Sequence, residues 1–343
     1  MVIAAPLPRT VVVIHRTGIG DLIWHIPYLR AIAAASADGA VSLIARPSCR
    51  AADVLAAERC IAEVIEFDRK PRKGEGRSGR HDPLGAQLRF ARGLRERGFE
   101  RIYILSGRIR YAALALLAGI PQRAGFGFSP GERLLLNRPP YIRPHRGTGN
   151  WVYPEVSAFC IAHGLVDAPV VPRMAVRPEA LAAAAQDLAG VPGPLYAFSI
   201  GTSAPRNNWG GERFAVLAQA LAERGCSVLL LGGPAERDAA AAIVAAVAPA
   251  LRARVIAATQ PSVQHSAALL RHCQFCVGND TSALNMAVAN GVPTLGLFGA
   301  SPPLTHDPLM RALQAQGMAA ISVEAVLARL AELQAPMPAG LQR

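Results

Sequence analysis

The residues with the clearest chemical potential lie in the run Gly278-Asn279-Asp280-Thr281-Ser282-Ala283-Leu284-Asn285-Met286. The apolar run 273–277 before it reads as a buried strand, and 287–291 reads as the rest of a helix ended by Gly291. Asp280 and Thr281 therefore stand where a parallel strand hands over to a helix. Free backbone N–H groups and the positive end of the helix suit a phosphate at such a place. Ligands of open α/β sheets bind outside the carboxyl ends of the strands. The plainer reading makes Asp280 an N-cap, and the local residues are compatible with both.

A second constellation follows the first apolar run: His15-Arg16-Thr17-Gly18-Ile19-Gly20-Asp21-Leu22. Its two glycines allow a sharp turn and close approach to a ligand. It is not a dinucleotide fingerprint, because Asp21 and Leu22 follow the second glycine and a carboxylate there repels a pyrophosphate. Asp21 reads as a general base or hydroxyl ligand, against the plainer reading of an N-cap. His15 and His25 can line the same place; for each, a packed or surface histidine is the simpler account.

In the second half, four loops follow strand-like runs: 199–203, 231–236, 278–282 and 298–301. Small residues and hydroxyls dominate them, as a phosphate-contacting surface needs. Taken together they favour a nucleotide site. The chain has no D-x-D, H-E-x-x-H or P-loop, so metal and Walker-type chemistries lack their usual residues and no cofactor is expected. Cys273 and Cys276 have metal-like spacing but no second ligand pair, and all six cysteines read as buried thiols.

These loops need elements to position them. Strand-like runs at 11–14, 41–45, 64–67 and 101–105 alternate with helical runs at 22–35, 51–58, 84–97 and 109–118. After a Pro-rich stretch the alternation restarts at 196–200 and continues through 292–298. This predicts an α/β chain of two Rossmann-like, doubly wound domains facing each other across a cleft. The expected boundaries are 1–165, a linker region at 166–194, and 195–343, with the last helix allowed to pack back on the N-terminal domain.

Charge divides the same way. Residues 1–150 hold 24 Lys+Arg and 12 Asp+Glu, a net of +12, and the remainder is neutral. An acidic partner for the first domain follows: nucleic acid, anionic lipid or a phosphorylated sugar. The densest run, 69–80, includes Arg69, Lys70, Arg72 and Lys73 among glycines and reads as a mobile loop, either acceptor-binding or merely solvated. Aromatic residues do not interleave with it, which argues against a single-stranded nucleic-acid platform. No apolar run has the length of a membrane span, and 11–14 is too short for a signal-peptide core. A cytoplasmic protein, peripheral at most on the inner membrane, is expected.

Several motifs now combine: Thr17-Gly18-Ile19-Gly20-Asp21 with Pro27; Gly201-Thr202-Ser203 with Trp209 and Glu212-Arg213-Phe214; the run from Leu230 to Glu236; and Gly278-x-Asp280-Thr281 with Gly291-x-Pro293 and Phe298-Gly299. In this order, over roughly residues 10–305, they resemble glycosyltransferase family 9, the ADP-heptose:lipopolysaccharide heptosyltransferases. The resemblance implies a GT-B fold and metal-independent, inverting transfer from an ADP-sugar to an anionic lipopolysaccharide-core or related glycan. It implies Asp21 as base and Thr202, Ser203, Asp280 and Thr281 in the donor loops, with Asn207, Ser282 and the ribose-facing Glu236 beside them. Thr17, Gly18, Gly20 and the basic run fall on the acceptor side. The family usually has Lys where Asn207 stands, Gly at Ser282 and His at Asn285. Arg206 is then the cation left to stabilise the departing diphosphate, with a fork rather than a point charge. These departures motivate a second reading, a nucleotide-sugar or glycan-binding protein without turnover. A nucleotide-sugar epimerase is a third reading, with a poorer match of motifs.

Overall fold

The computed structural model describes residues 6–14, 18–69, 76–202, 204–260, 262–299 and 301–334. The chain divides into two compact units, 1–177 and 178–343. The break falls inside the expected linker region, whose helix Pro178–Asp187 packs against the helix Val263–Leu270 of the second unit.

The first unit is built on β1 (Thr10–Ile14), β2 (Val41–Ala45), β3 (Ile61–Glu66), β4 (Arg101–Leu105) and β5 (Gln122–Gly125). Their order is β3-β2-β1-β4-β5, and every pairing is parallel. Val11, Val12, Val13 and Ile14 are all but inaccessible. Consecutive burial of that kind is what a parallel strand covered on both faces requires. The chain order reverses between β1 and β4, so the crevice at their carboxyl ends is this sheet's switch point.

The second unit carries β6 (Leu195–Ser199), β7 (Ser227–Leu231), β8 (Val255–Ala258), β9 (Phe275–Asn279), β10 (Thr294–Phe298) and β11 (Met310–Gln314). The order β11-β10-β9-β6-β7-β8 is again wholly parallel, with its reversal between β6 and β9. Those two strands approach so closely that a Cβ on Gly278 would lie 2.4 Å from the Ser199 carbonyl oxygen; only glycine fits. The last described helix, Val323–Gln334, buries Val326 and Leu330 in the core of this unit beside the helix Gly211–Glu223. Gln334 donates to the Tyr196 hydroxyl on β6. The helix that the sequence allowed to return to the first domain is thus anchored in its own.

Strands β5 and β11 were not legible in the sequence. Gln-Arg-Ala-Gly and Met-Arg-Ala-Leu-Gln lack β-branched residues, and each is an edge strand whose pairing to β4 or β10 overrides local propensity.

Candidate functional site

At the start of the first unit's Ile19–Ala34 helix, Gly18 occupies the N-cap position. The Asp21 carboxylate reaches back to accept the Gly18 N–H at 3.3 Å. Asp21 is therefore the third helical residue and not the cap itself, which corrects the plainer reading. Its carbonyl accepts a 2.7 Å hydrogen bond from His25 Nδ1. A carbonyl can only accept, so Nδ1 carries the proton and Nε2 is left as an acceptor. His25 is 3% exposed; burial lowers its pKa to about 4, against a smaller opposing effect of the Asp21 carbonyl. The ring is neutral at physiological pH. Gly20 is buried within the helix, and Thr17 lies outside the described residues, as does His15.

The basic stretch is only partly described: Lys70, Arg72 and Lys73 fall outside. Arg69 pairs with Asp82 at 3.6 Å. Beyond it, Arg77 holds the buried Asp68 at 2.6 Å and Arg80 holds Glu66 at 2.6 Å. These arginines brace the base of the segment through ion pairs whose acidic partners sequence spacing did not indicate.

In the second unit, the loops after β6 and β9 meet at the switch point. Ser199 Oγ and Thr281 Oγ1 are 2.7 Å apart and hydrogen-bonded. Thr281 caps the Ser282–Ala289 helix, its hydroxyl accepting the Ala283 N–H at 3.2 Å. The N-cap is therefore Thr281, and Asp280 stands one residue ahead of it. The Asp280 carboxylate accepts from Ser301 Oγ at 2.7 Å, which joins the β9 and β10 loops. Burial raises the Asp280 pKa, and the Ser301 hydroxyl opposes that shift.

Asn279, which the sequence motifs did not single out, anchors this part of the site. It is wholly buried, and its amide donates to the carbonyls of Ile200 at 2.8 Å and Gly201 at 3.4 Å. Its Oδ1 accepts the Trp209 N–H at 2.9 Å. One side chain thus fixes both ends of the loop from β6 to Trp209. A polar residue closing an otherwise apolar strand was the signal available. Trp209 is itself fully buried, donating from Nε1 to Ile321 at 2.8 Å and meeting Phe214 edge-on.

Glu236 turns inward: it accepts the Gly233 N–H at 2.7 Å, and a Cβ on Gly201 would sit 3.0 Å from its carboxyl carbon. The loops after β6 and β7 therefore meet at this carboxylate. Thr202 bonds locally to Ala204, and Ser203 lies outside the described residues. Asn207, in the turn Pro205–Asn207, is buried; its Oδ1 has no hydrogen-bond partner among the described residues, nor has that of the buried Asn285. Arg206 is exposed, and among the described residues no hydrogen bond or ion pair joins it to Asp280 or Thr281. Ser282 is the first residue of the capped helix. Among the described residues, no group of three His, Cys, Asp or Glu is arranged to hold a metal ion, and no helix is long and apolar enough to cross a membrane.

Two successive Rossmann-like units with parallel sheets, the second with hydroxyl- and glycine-rich loops meeting at its switch point, are the parts of a GT-B fold. The chain belongs to glycosyltransferase family 9 (heptosyltransferase), whose sequence model matches residues 87–326. It is 25% identical over 238 residues to lipopolysaccharide heptosyltransferase 2 of Escherichia coli K12, covering 65% of this chain and 68% of that protein. Its fold is similar to that of the E. coli ADP-heptose LPS heptosyltransferase II (TM-score 0.75, 21% identity, 95% of this chain and 98% of the other). It is also similar to that of the E. coli heptosyltransferase WaaC solved with ADP-2-deoxy-2-fluoro heptose (TM-score 0.72, 19% identity, 94% and 99%).

Proposed function

We propose that the protein transfers heptose from ADP-heptose to an anionic lipopolysaccharide-core glycan, with inversion and without a metal. The observation that carries this reading is the meeting of the β6, β7, β9 and β10 loops through the Ser199–Thr281 and Asp280–Ser301 bonds and the Glu236 carboxylate. The heptosyltransferase of the same fold solved with an ADP-heptose analogue supports the donor class.

In this reading the diphosphate lies at the N-terminus of the Ser282–Ala289 helix, where backbone N–H groups and the helix dipole face it. Asp280 accepts a sugar hydroxyl and Glu236 a ribose hydroxyl. Thr202, Ser203 and Ser282 supply further hydroxyls, and the unpartnered oxygens of Asn207 and Asn285 take donors from the bound sugar nucleotide. Asp21 removes the proton of the attacking acceptor hydroxyl. That oxygen forms the new bond to the anomeric carbon as the bond to the diphosphate breaks on the opposite face. ADP leaves with the electron pair, stabilised by the helix N-terminus and Arg206. Thr17, Gly18, Gly20 and the run Arg69, Lys70, Arg72 and Lys73 serve the acceptor. The first unit also exposes Leu84, Leu88, Leu116, Leu117 and Leu134, which with its excess positive charge supports peripheral contact with an anionic membrane.

A thermal-shift panel tests the donor assignment, since a ligand of the native state alone raises the midpoint. ADP and ADP-sugars are expected to shift the protein more than their UDP or GDP counterparts. A larger response to UDP removes the ADP assignment.

A further inference from the structure

Three helices of the first unit, Leu84–Glu96, Ile109–Leu117 and Pro130–Leu135, form one layer in which the middle helix packs against both others. Their inward residues, Leu94, Tyr111 and Leu114 among them, share a core with Val11 and Ile104 of the sheet. Their outward residues are apolar where water favours polar ones. Leu84 and Leu134 are 73% and 85% exposed, and Leu88, Ile109, Leu116 and Leu117 are about half exposed. Six of the ten large apolar residues exposed among the described residues therefore lie on this layer. A leucine exposed singly is ordinary, but a cluster on one layer marks an interaction surface. The helices also touch through this set: a Cβ on Gly131 would lie 3.1 Å from Ile109 Cδ1, and Arg95 donates to the Leu117 carbonyl at 2.7 Å.

The charge of the layer has one sign. Five exposed arginines stand on these helices or at the N-cap of the middle one, against one exposed acid, Glu96, which Arg92 already holds at 3.1 Å. Arg89 and Arg108 make no side-chain hydrogen bond or ion pair among the described residues. An arginine carries its charge at the end of an apolar stem, so it reaches a headgroup phosphate while a leucine beside it enters the acyl boundary. A second copy of the chain docked by the same face would set these arginines against each other. The charge therefore favours an anionic lipid surface over self-association.

We infer that this three-helix layer is a membrane-docking face, its leucines and Ile109 inserted at the headgroup–acyl boundary and its arginines on anionic lipid phosphates. The inference rests on the peripheral contact read above and gives it two parts. Charge draws the unit to the bilayer, and apolar insertion holds it there when salt screens the charge.

Flotation of the full chain with vesicles of phosphatidylcholine, alone or mixed with phosphatidylglycerol, tests this. The wild type is expected to float with the mixed vesicles. The triple variant Leu84→Ser, Leu117→Ser, Leu134→Ser is expected to bind them on the order of tenfold more weakly at low and high salt alike. Arg89→Gln with Arg108→Gln weakens binding several-fold at low salt, and that loss shrinks at high salt. Both variants keep the wild-type melting midpoint and ADP shift, because the substituted side chains are exposed and lie outside the donor loops. Val216→Ser, at an apolar residue 57% exposed on the second unit, leaves vesicle binding unchanged. Binding to mixed vesicles that survives the leucine substitutions overturns this face and leaves peripheral contact standing, whereas a wild type that binds no vesicles overturns both. An equal loss with Val216→Ser also overturns the inference, as does a wild-type dimer, seen by light scattering, that the leucine variant dissolves while neither protein binds vesicles. Transfer to a soluble core glycan, measured in parallel, is expected to persist in both variants; leucine-dependent vesicle binding without any transfer overturns the transferase reading and leaves the docking face in place.

Discussion

Asp21→Asn is expected to lower turnover by about 10²–10⁴-fold, the usual contribution of general-base catalysis, while donor affinity and melting midpoint stay near wild type. The amide oxygen can still accept the Gly18 N–H that Asp21 holds at 3.3 Å, so the helix start survives. What disappears is the ability to take a proton. Asp21→Ala separates the two roles, because it also loses that hydrogen bond and is expected to lower stability by about 1 kcal/mol. Turnover, ADP affinity and melting midpoint measured on both variants decide between them. Near-normal transfer by Asp21→Asn makes the carboxylate a helix-end ligand only.

Asn279→Ala is expected to have the largest effect on stability. The substitution leaves the Trp209 N–H and the Ile200 carbonyl, which Asn279 serves at 2.9 and 2.8 Å, without their partner in a buried setting. Each such group costs roughly 1–3 kcal/mol, so a loss of about 2–4 kcal/mol is predicted by denaturant unfolding. ADP affinity falls with it, because the loop from Ser199 to Trp209 loses its anchor beside the proposed diphosphate site. Asn279→Asp keeps an acceptor for Trp209 but sets a carboxylate against two carbonyls, and is expected to be no better than alanine. Wild-type stability for either variant would mean that the loop is held elsewhere.

Much of this architecture was legible before the structure. Strand–helix alternation is carried by apolar runs such as 11–14 and 195–199, whose burial on both faces leaves a nearly continuous signal. The switch-point loops could be read because glycine and hydroxyl residues cluster at strand ends. What escaped depends on contacts between distant segments. Edge strands β5 and β11 exist through pairing alone. Asn279 looks like the first loop residue until its partners at 200, 201 and 209 are seen. The basic run at 69–80 looks uniformly charged until Asp82, Asp68 and Glu66 are found against its arginines.

The most direct measurement is a transfer assay with the purified chain, ADP-heptose and a core acceptor lacking heptose, run with and without a chelator. The account predicts ADP release matched by an acceptor heavier by one heptosyl residue, undiminished by the chelator. It also predicts a product whose anomeric configuration, read by NMR, is opposite to that of the donor. Binding of ADP-heptose without transfer, loss of transfer on chelation, or retention of configuration would contradict it.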